Sequence, residues 1–158
     1  MKLHIGCGDT KLEGFTNVDI RKTIATDIVA SVTNLPLEDN SVDYIYSHHS
    51  FEHFPFLDTV NELVRVSKNG AKWEVITPYL TNTQYNLINP YHIEHFTEDK
   101  FRFFDDIYKR EQPKFRIITN SVEFDYNTDL WGFDNLEEKR LKYLNVVKQI
   151  TFKLTIEK

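Results

Sequence analysis

The feature that most constrains this chain is its opening stretch. A short strand, Lys2-Leu3-His4-Ile5, runs directly into Gly6-Cys7-Gly8-Asp9, and a second short strand, Asn17-Val18-Asp19-Ile20, places an acid eleven positions beyond Gly8. Glycines let a backbone turn tightly and approach a ligand closely, and a carboxylate at the next strand end can grip two ribose hydroxyls. This is the logic of a nucleotide-type cofactor site. A lone Gly-x-Gly is equally compatible with a plain turn between strands, so these residues alone leave both readings open.

The 158 residues are 41% hydrophobic and 27% charged, enough for one domain, 1–158, with a real core. A net charge of −5 and the lack of any Lys/Arg run argue against nucleic acid as a partner. Cys7 is the single cysteine, which excludes an internal disulfide and makes the cytoplasm the expected compartment. No signal peptide and no apolar run of membrane-spanning length is present, so no membrane association is expected.

Further along, 27–32 and 42–46 read as a third and a fourth strand, separated by the turn-rich run 34–41. From Phe56 the period changes: Leu57, Val60, Leu63 and Val64 share a helical face, and Asn69-Gly70 reads as the stop. A fifth strand is predicted over 72–76, an irregular Asn-, Tyr- and His-rich loop over 79–95, and a helix capped by Thr97 with Phe101, Phe104 and Ile107 on one face. A strand over 115–126, a helix over 136–147 and a strand over 150–156 complete the chain, the two strands forming an antiparallel pair at one sheet edge. Strands alternating with helices point to a parallel α/β sheet.

In this order the motifs resemble those of the class I SAM-dependent methyltransferases, in particular the small methyltransferase-domain (type 11-like) group. The likeness covers nearly the whole chain. It rests on Ile5-Gly6-Cys7-Gly8, Asn17-Val18-Asp19-Ile20, the run from Leu35 to Asp43, Phe51-Glu52-His53, the run from Glu62 to Gly70, and Asn89-Pro90-Tyr91-His92 followed by His95-Phe96-Thr97. The resemblance implies a Rossmann-like, mostly parallel sheet in the order 3-2-1-4-5-7-6 with strand 7 antiparallel. It implies S-adenosyl-L-methionine (SAM) as cofactor, with Gly6, Cys7 and Gly8 at its methionine part and Asp19 on the ribose. Ile20, Ser31 and Val32 would lie beside the adenine, and Ser47 near the amino-acid end.

Three departures modify this expectation. Ser31 stands where the family usually has an acid. Only eleven residues (6–16) join the first two strands and only seven (21–27) follow the second, so the helices around strands 1 to 3 are trimmed. The chain also begins at its first strand, so no N-terminal lid is expected. The uncovered apolar residues Leu3, Ile5, Val18, Ile20, Ile28 and Val32 then need a cover, for which a homodimer is the leading expectation.

Methyl transfer needs positioning and, for some acceptors, a base. His49 and His92, on loops after the fourth and fifth strands, are the candidates, with Glu52 or Glu94 orienting them; His53 and His95 are read as structural. The acceptor is expected to be a small molecule or biosynthetic intermediate, and Tyr79, Tyr85, Tyr91 and Trp131 are candidates to line its pocket. His49, Glu52, His53, His92 and His95 are also metal-ligand types, yet none shows the H-E-x-x-H spacing, and no metal is assigned. A non-catalytic subunit of the same fold and, less favoured, a metal-dependent hydrolase are the alternatives.

Overall fold

A computed structural model describes every residue except 84, 85, 87 and 112–114, and describes 108–111 by backbone alone; the expectation for Tyr85 falls outside these residues. Seven strands form one sheet: β1 (Lys2–Ile5), β2 (Thr16–Asp19), β3 (Ile28–Val29), β4 (Val42–His48), β5 (Ser67–Pro78), β6 (Arg116–Tyr126) and β7 (Val147–Glu157). Their order is β3-β2-β1-β4-β5-β7-β6. All neighbouring pairs from β3 to β5 are parallel, and β7 runs antiparallel to both β5 and β6. Helices α1 (Phe56–Val66), α2 (Lys100–Glu111), α3 (Thr128–Trp131) and α4 (Leu136–Arg140) complete the described elements. None of these helices is long and apolar enough to cross a membrane.

The sheet register explains how the chain manages without helices beside β1 to β3. Leu3 aligns with Ile45, and Ile45 with Trp73; Ile5 aligns with Val18 on one side and Ser47 on the other. Side chains alternate between faces along a strand, so this apolar row points to one side. There it packs with Val60, Leu63, Phe51, Phe101 and Phe152 in a single core. Phe101, fully buried, joins α2 to the sheet, with ring centroids 4.9 Å from Phe152 and 5.4 Å from Phe56.

On the opposite face the row through the middle of the sheet is polar. His4 aligns with Asn17 and Tyr46, Tyr46 with Glu74, and Glu74 with Lys153. Phe15, on the 6–15 connection, sits edge-on to Tyr44 and Tyr46 at 6.0 and 6.3 Å. Leu3, Ile5 and Val18 are at most 1% exposed within the single chain. The expectation of a large uncovered apolar face is therefore corrected: Leu3, Ile5, Val18 and Val32 are buried in the chain's own core, and Ile28 packs partly against it. Ile20 is the exception at 71% exposed.

Local expectations need five further corrections. Strand β3 is only Ile28–Val29, so Ser31 and Val32 belong to the loop after it. Helix α1 ends at Val66, not at Asn69-Gly70; Ser67 is already extended, and Gly70 (φ +82°) lies within β5. Leu57 is 53% exposed, the buried face being Phe56, Thr59, Val60, Leu63, Val64 and Val66. Helix α2 starts at Lys100, leaving Thr97 a full turn ahead of it, and Ile107 is exposed. The predicted helix 136–147 is one short turn, α4, because Val147 already pairs with Tyr126 in the sheet.

Asn17 ties the short connections down. Its side chain is fully buried. Its Oδ1 accepts from Leu12 N–H and His4 Nδ1, both at 2.9 Å, and its Nδ2 donates to Leu12 O, Phe15 O and Asp27 Oδ2. Replacement by alanine strands several buried donors and acceptors, each worth about 1–3 kcal/mol. Asn17→Ala is expected to destabilise the fold by about 3–5 kcal/mol in urea denaturation, the range reserved for a broken buried network. A loss below about 1 kcal/mol would refute this role.

Candidate functional site

The carboxyl ends of β1, β2 and β4 meet above the sheet, where open α/β sheets bind ligands. The turn after β1 is built from glycines in left-handed conformation, Gly6 at φ +66° and Gly8 at +54°. At Gly6 the requirement is also spatial: an added Cβ would lie 2.4 Å from Ser50 Oγ. Ser50 Oγ donates to Gly6 O at 3.0 Å or His48 O at 3.1 Å, fastening the turn after β4 against the glycine turn.

Asp19 closes the end of β2. Its Oδ2 accepts Gly8 N–H and its Oδ1 accepts Arg21 N–H, both at 2.8 Å, with Arg21 Nε 3.5 Å away. Both oxygens are thereby aimed, and the carboxylate still borders open space. That space is a cleft of about 320 Å³ walled by Gly6, Asp19, Ile20, Ser31, Val32 and, opposite, His53-Phe54-Pro55. Its size lies at the low end of ligand-binding clefts, roughly 300–1,000 Å³. An adjoining hollow is bordered by Gly6, Gly8, Asp19, Arg21, His49 and His53.

The structure thus brings together Gly6, Gly8, Asp19, Ile20, Ser31, Val32 and His49 of the residues singled out from sequence. Cys7 and Ser47 border neither space: Cys7 is buried with its N–H donated to Val18 O, and Ser47 is fully buried with its hydroxyl unpartnered. Burial raises the Cys7 thiol above its ordinary value. Ser31 Oγ pairs with Thr33 Oγ1 at 2.8 Å. His53, Phe54, Pro55, Thr33 and Arg21 were not singled out as cleft residues; the aromatic and proline run after Phe51-Glu52-His53 was the signal available for the opposite wall.

His49 adopts a left-handed conformation (φ +50°), which non-glycine residues rarely take, and its N–H is held by Ile76 O at 2.9 Å. Its Nε2 bonds Gln149 Oε1 at 2.9 Å, and its ring stacks on His48 with centroids 4.3 Å apart. Burial, then the His48 ring, lowers its pKa, so the neutral imidazole is favoured. The orienting partner of His49 is therefore Gln149 rather than Glu52, which faces His92 instead: Glu52 Oε1 lies 4.0 Å from His92 Nε2. Burial pushes the Glu52 carboxyl up to about 7, and burial followed by the neighbouring His53 lowers His92. Glu94 pairs with Lys100 at 2.6 Å. His95 Nδ1 bonds Asn86 Oδ1 at 3.1 Å, in keeping with a structural role. Of the aromatic candidates, Tyr79 is buried and bonds Glu98, Tyr91 is 76% exposed, and Trp131 stacks on Tyr143.

Residues 9–73, which begin just after Gly8 and contain Asp19 and the 51–55 wall, match a family model described as methyltransferase domain. The fold recurs in solved structures. A SAM-dependent methyltransferase from Archaeoglobus fulgidus superposes with a TM-score of 0.68 at 16% identity, covering 98% of this chain and 85% of its own. YcgJ from Bacillus subtilis gives 0.66 at 14% identity, with 99% and 91% covered. The chain has the fold of the class I SAM-dependent methyltransferases. Geranyl diphosphate C-methyltransferase from Streptomyces coelicolor, solved with Mg2+, geranyl diphosphate and S-adenosyl-L-homocysteine, is similar at TM-score 0.63 and 13% identity, with 98% and 71% covered. No curated protein sequence matches.

Within this methyltransferase fold, Gly6 and Gly14 provide a paired test. Both have positive φ, but an added Cβ at Gly14 meets nothing within 4 Å. Alanine at either site carries the left-handed penalty of roughly 1–2 kcal/mol. Gly6→Ala adds the overlap with Ser50, about 1–3 kcal/mol of overpacking. Denaturant unfolding is expected to rank Gly6→Ala clearly below Gly14→Ala; equal losses would remove the close-approach argument.

Proposed function

We propose that the chain transfers the methyl group of SAM to a small-molecule acceptor. The observation that carries the reading is the Asp19 carboxylate, pinned by Gly8 and Arg21 N–H groups at the mouth of a strand-end cleft. A ribose diol supplies two donors that match its remaining lone pairs. The apolar walls at Ile20 and Val32 suit an adenine ring, with Ser31 at its edge in place of the acid usual in the family. Ile20, exposed at 71%, gains cover when the cleft fills. The methionine part would run toward Gly6 and Gly8 by way of the adjoining hollow.

SAM supplies an activated methyl group for in-line displacement, and the chain's own residues position the acceptor and take its proton. His49 is assigned that proton. It borders the hollow, is held in the neutral form by burial, and its Nδ1 remains free to accept when Nε2 donates to Gln149. Among the described residues, Glu52 and His92 border neither space, so the base role falls to His49 alone.

Calorimetric titration with SAM and with S-adenosyl-L-homocysteine tests the reading directly. Losing a charge-assisted hydrogen bond costs roughly 1.5–3 kcal/mol, so Asp19→Ala is expected to weaken SAM binding by about ten- to a hundredfold. Unchanged affinity in the folded variant would exclude Asp19 from the ribose, and absence of SAM binding by the parent would favour a non-catalytic role. Once an acceptor is identified by methyl transfer from labelled SAM, His49→Gln is expected to lower turnover by about a hundredfold or more. Turnover at the parent rate would sink the base assignment.

A further inference from the structure

Behind the wall of the cleft, two loops bring three ligand-type side chains together. Phe51–His53 forms a 3-10 turn after β4, in which Glu52 is buried and His53 exposed. The segment after β5 folds back onto it: Ile93 and Glu94 N–H groups both donate to Glu52 O, at 2.9 and 3.1 Å. His53 Nδ1 donates to Tyr91 O at 3.0 Å. His53 and His92 meet edge to face with ring centroids 4.6 Å apart.

The polar atoms of this junction are unbalanced in a specific way. Glu52 Oε2 is buried with no hydrogen-bond partner, in a side chain only 2% exposed. A buried carboxylate oxygen without a partner is costly, and such groups are normally paired or bound to a metal. Both imidazoles, by contrast, have Nδ1 occupied by an oxygen. The Tyr91 carbonyl can only accept, and Asn86, whose Nδ2 donates to Tyr79 O, presents Oδ1 to His92 Nδ1 at 3.4 Å. That fixes both rings in the tautomer with an unprotonated Nε2. Imidazoles oriented through Nδ1–H on a carbonyl-type oxygen are the usual outer-shell arrangement of metal-binding histidines.

We propose that Glu52, His53 and His92 form a binding site for one divalent transition-metal ion of the zinc type. One ligand atom from each residue lies within 4.8 Å of the others. In a tetrahedral zinc site with bonds of about 2.0–2.1 Å, ligand atoms stand roughly 3.4 Å apart. The 4.0 Å between Glu52 Oε1 and His92 Nε2 is therefore a short closure away from ligation. Two imidazoles and one carboxylate suit zinc and its neighbours better than magnesium or calcium, which favour oxygen ligands. Three protein ligands leave a fourth position for water. The cluster narrows the five metal-ligand types noted in the sequence: His95 is directed to Asn86, and His49 to Gln149.

The test is equilibrium dialysis of untagged, chelator-stripped protein against zinc alone, and separately against magnesium. One zinc per chain, bound at micromolar or lower concentration, is expected, with magnesium not retained. Glu52→Gln and His53→Ala are each expected to weaken zinc binding at least about tenfold, the floor seen when even an outer-shell partner is removed. His53 is exposed, so His53→Ala decides the matter if the Glu52 variant fails to fold. Parent protein that retains no stoichiometric zinc, or folded variants that bind it as well as the parent, would overturn the proposal. SAM titration of the same stripped protein separates this outcome from the function reading. Zinc binding without SAM binding leaves the site standing, and SAM binding without zinc does the reverse.

Discussion

The buried side chain of Asn17 makes the interactions on which the cleft edge of this sheet depends. In a parallel sheet, successive strands are normally linked by helices whose packing fixes both strand and loop. Here the links are 6–15 and 20–27, and neither holds a helix. Asn17 replaces packing by hydrogen bonds, gripping Leu12 and Phe15 on the first link and Asp27 at the end of the second. Asp27 is itself held by Lys11 at 2.7 Å. The Lys11 ammonium, then the Asn17 backbone and side-chain groups, keep the Asp27 carboxyl far below the usual carboxylate range. A polar hub works in this position because the face it occupies carries His4 and Tyr46 rather than aliphatic side chains.

From that hub the geometry of the candidate cofactor edge follows. With both links tied to one side chain, Gly8 and Arg21 are brought to opposite ends of the Asp19 carboxylate. Across the cleft, Ser50 locks the 50–55 turn to Gly6, so the two walls share a fixed reference rather than moving separately. The candidate site is thus preorganised by short-range hydrogen bonds. Its outer wall at Ile20 is left open to solvent.

Much of this was legible in sequence. The existence of all seven strands, their order as implied by the motif resemblance, and the trimming around β1 to β3 hold in the structure, although β3 is shorter and β5 longer than read. What failed did so for identifiable reasons. Alternation showed that Leu3, Ile5 and Val18 are apolar, but not that all three point to the α1 side; a one-residue change of parity would have exposed them. Asn69-Gly70 carries the chemistry of a helix stop, yet β5 begins three residues earlier, because Ser67 Oγ caps Leu63 O and accepts Trp73 Nε1 across the same junction. The helical pattern of 136–147 lost to pairing of Val147 with Tyr126, a long-range contact invisible to a local window. Among candidate site residues, Asp19 and Gly6 stood out because the glycine turn and the acid at the next strand end are local features. His53 and the Glu52–His92 contact required two loops separated by nearly forty residues to meet.

That meeting also accounts for the placement of Glu52. A carboxyl at 1% exposure would ordinarily be replaced or paired, and here it is raised to about 7 by burial with one oxygen left unpartnered. Its backbone explains why the residue cannot simply swing out. The Glu52 carbonyl takes two N–H groups from the 93–94 segment, and the rings of Phe51 on one side and His53 on the other are themselves held. The side chain is therefore committed to the junction by the same bonds that fasten the loop after β5 to the loop after β4. A fold that needed only a loop clasp could use an amide or an aliphatic residue there, without desolvating an acid. An acid that faces an imidazole, one shell behind the cleft wall, is the feature of this junction that loop packing alone does not require.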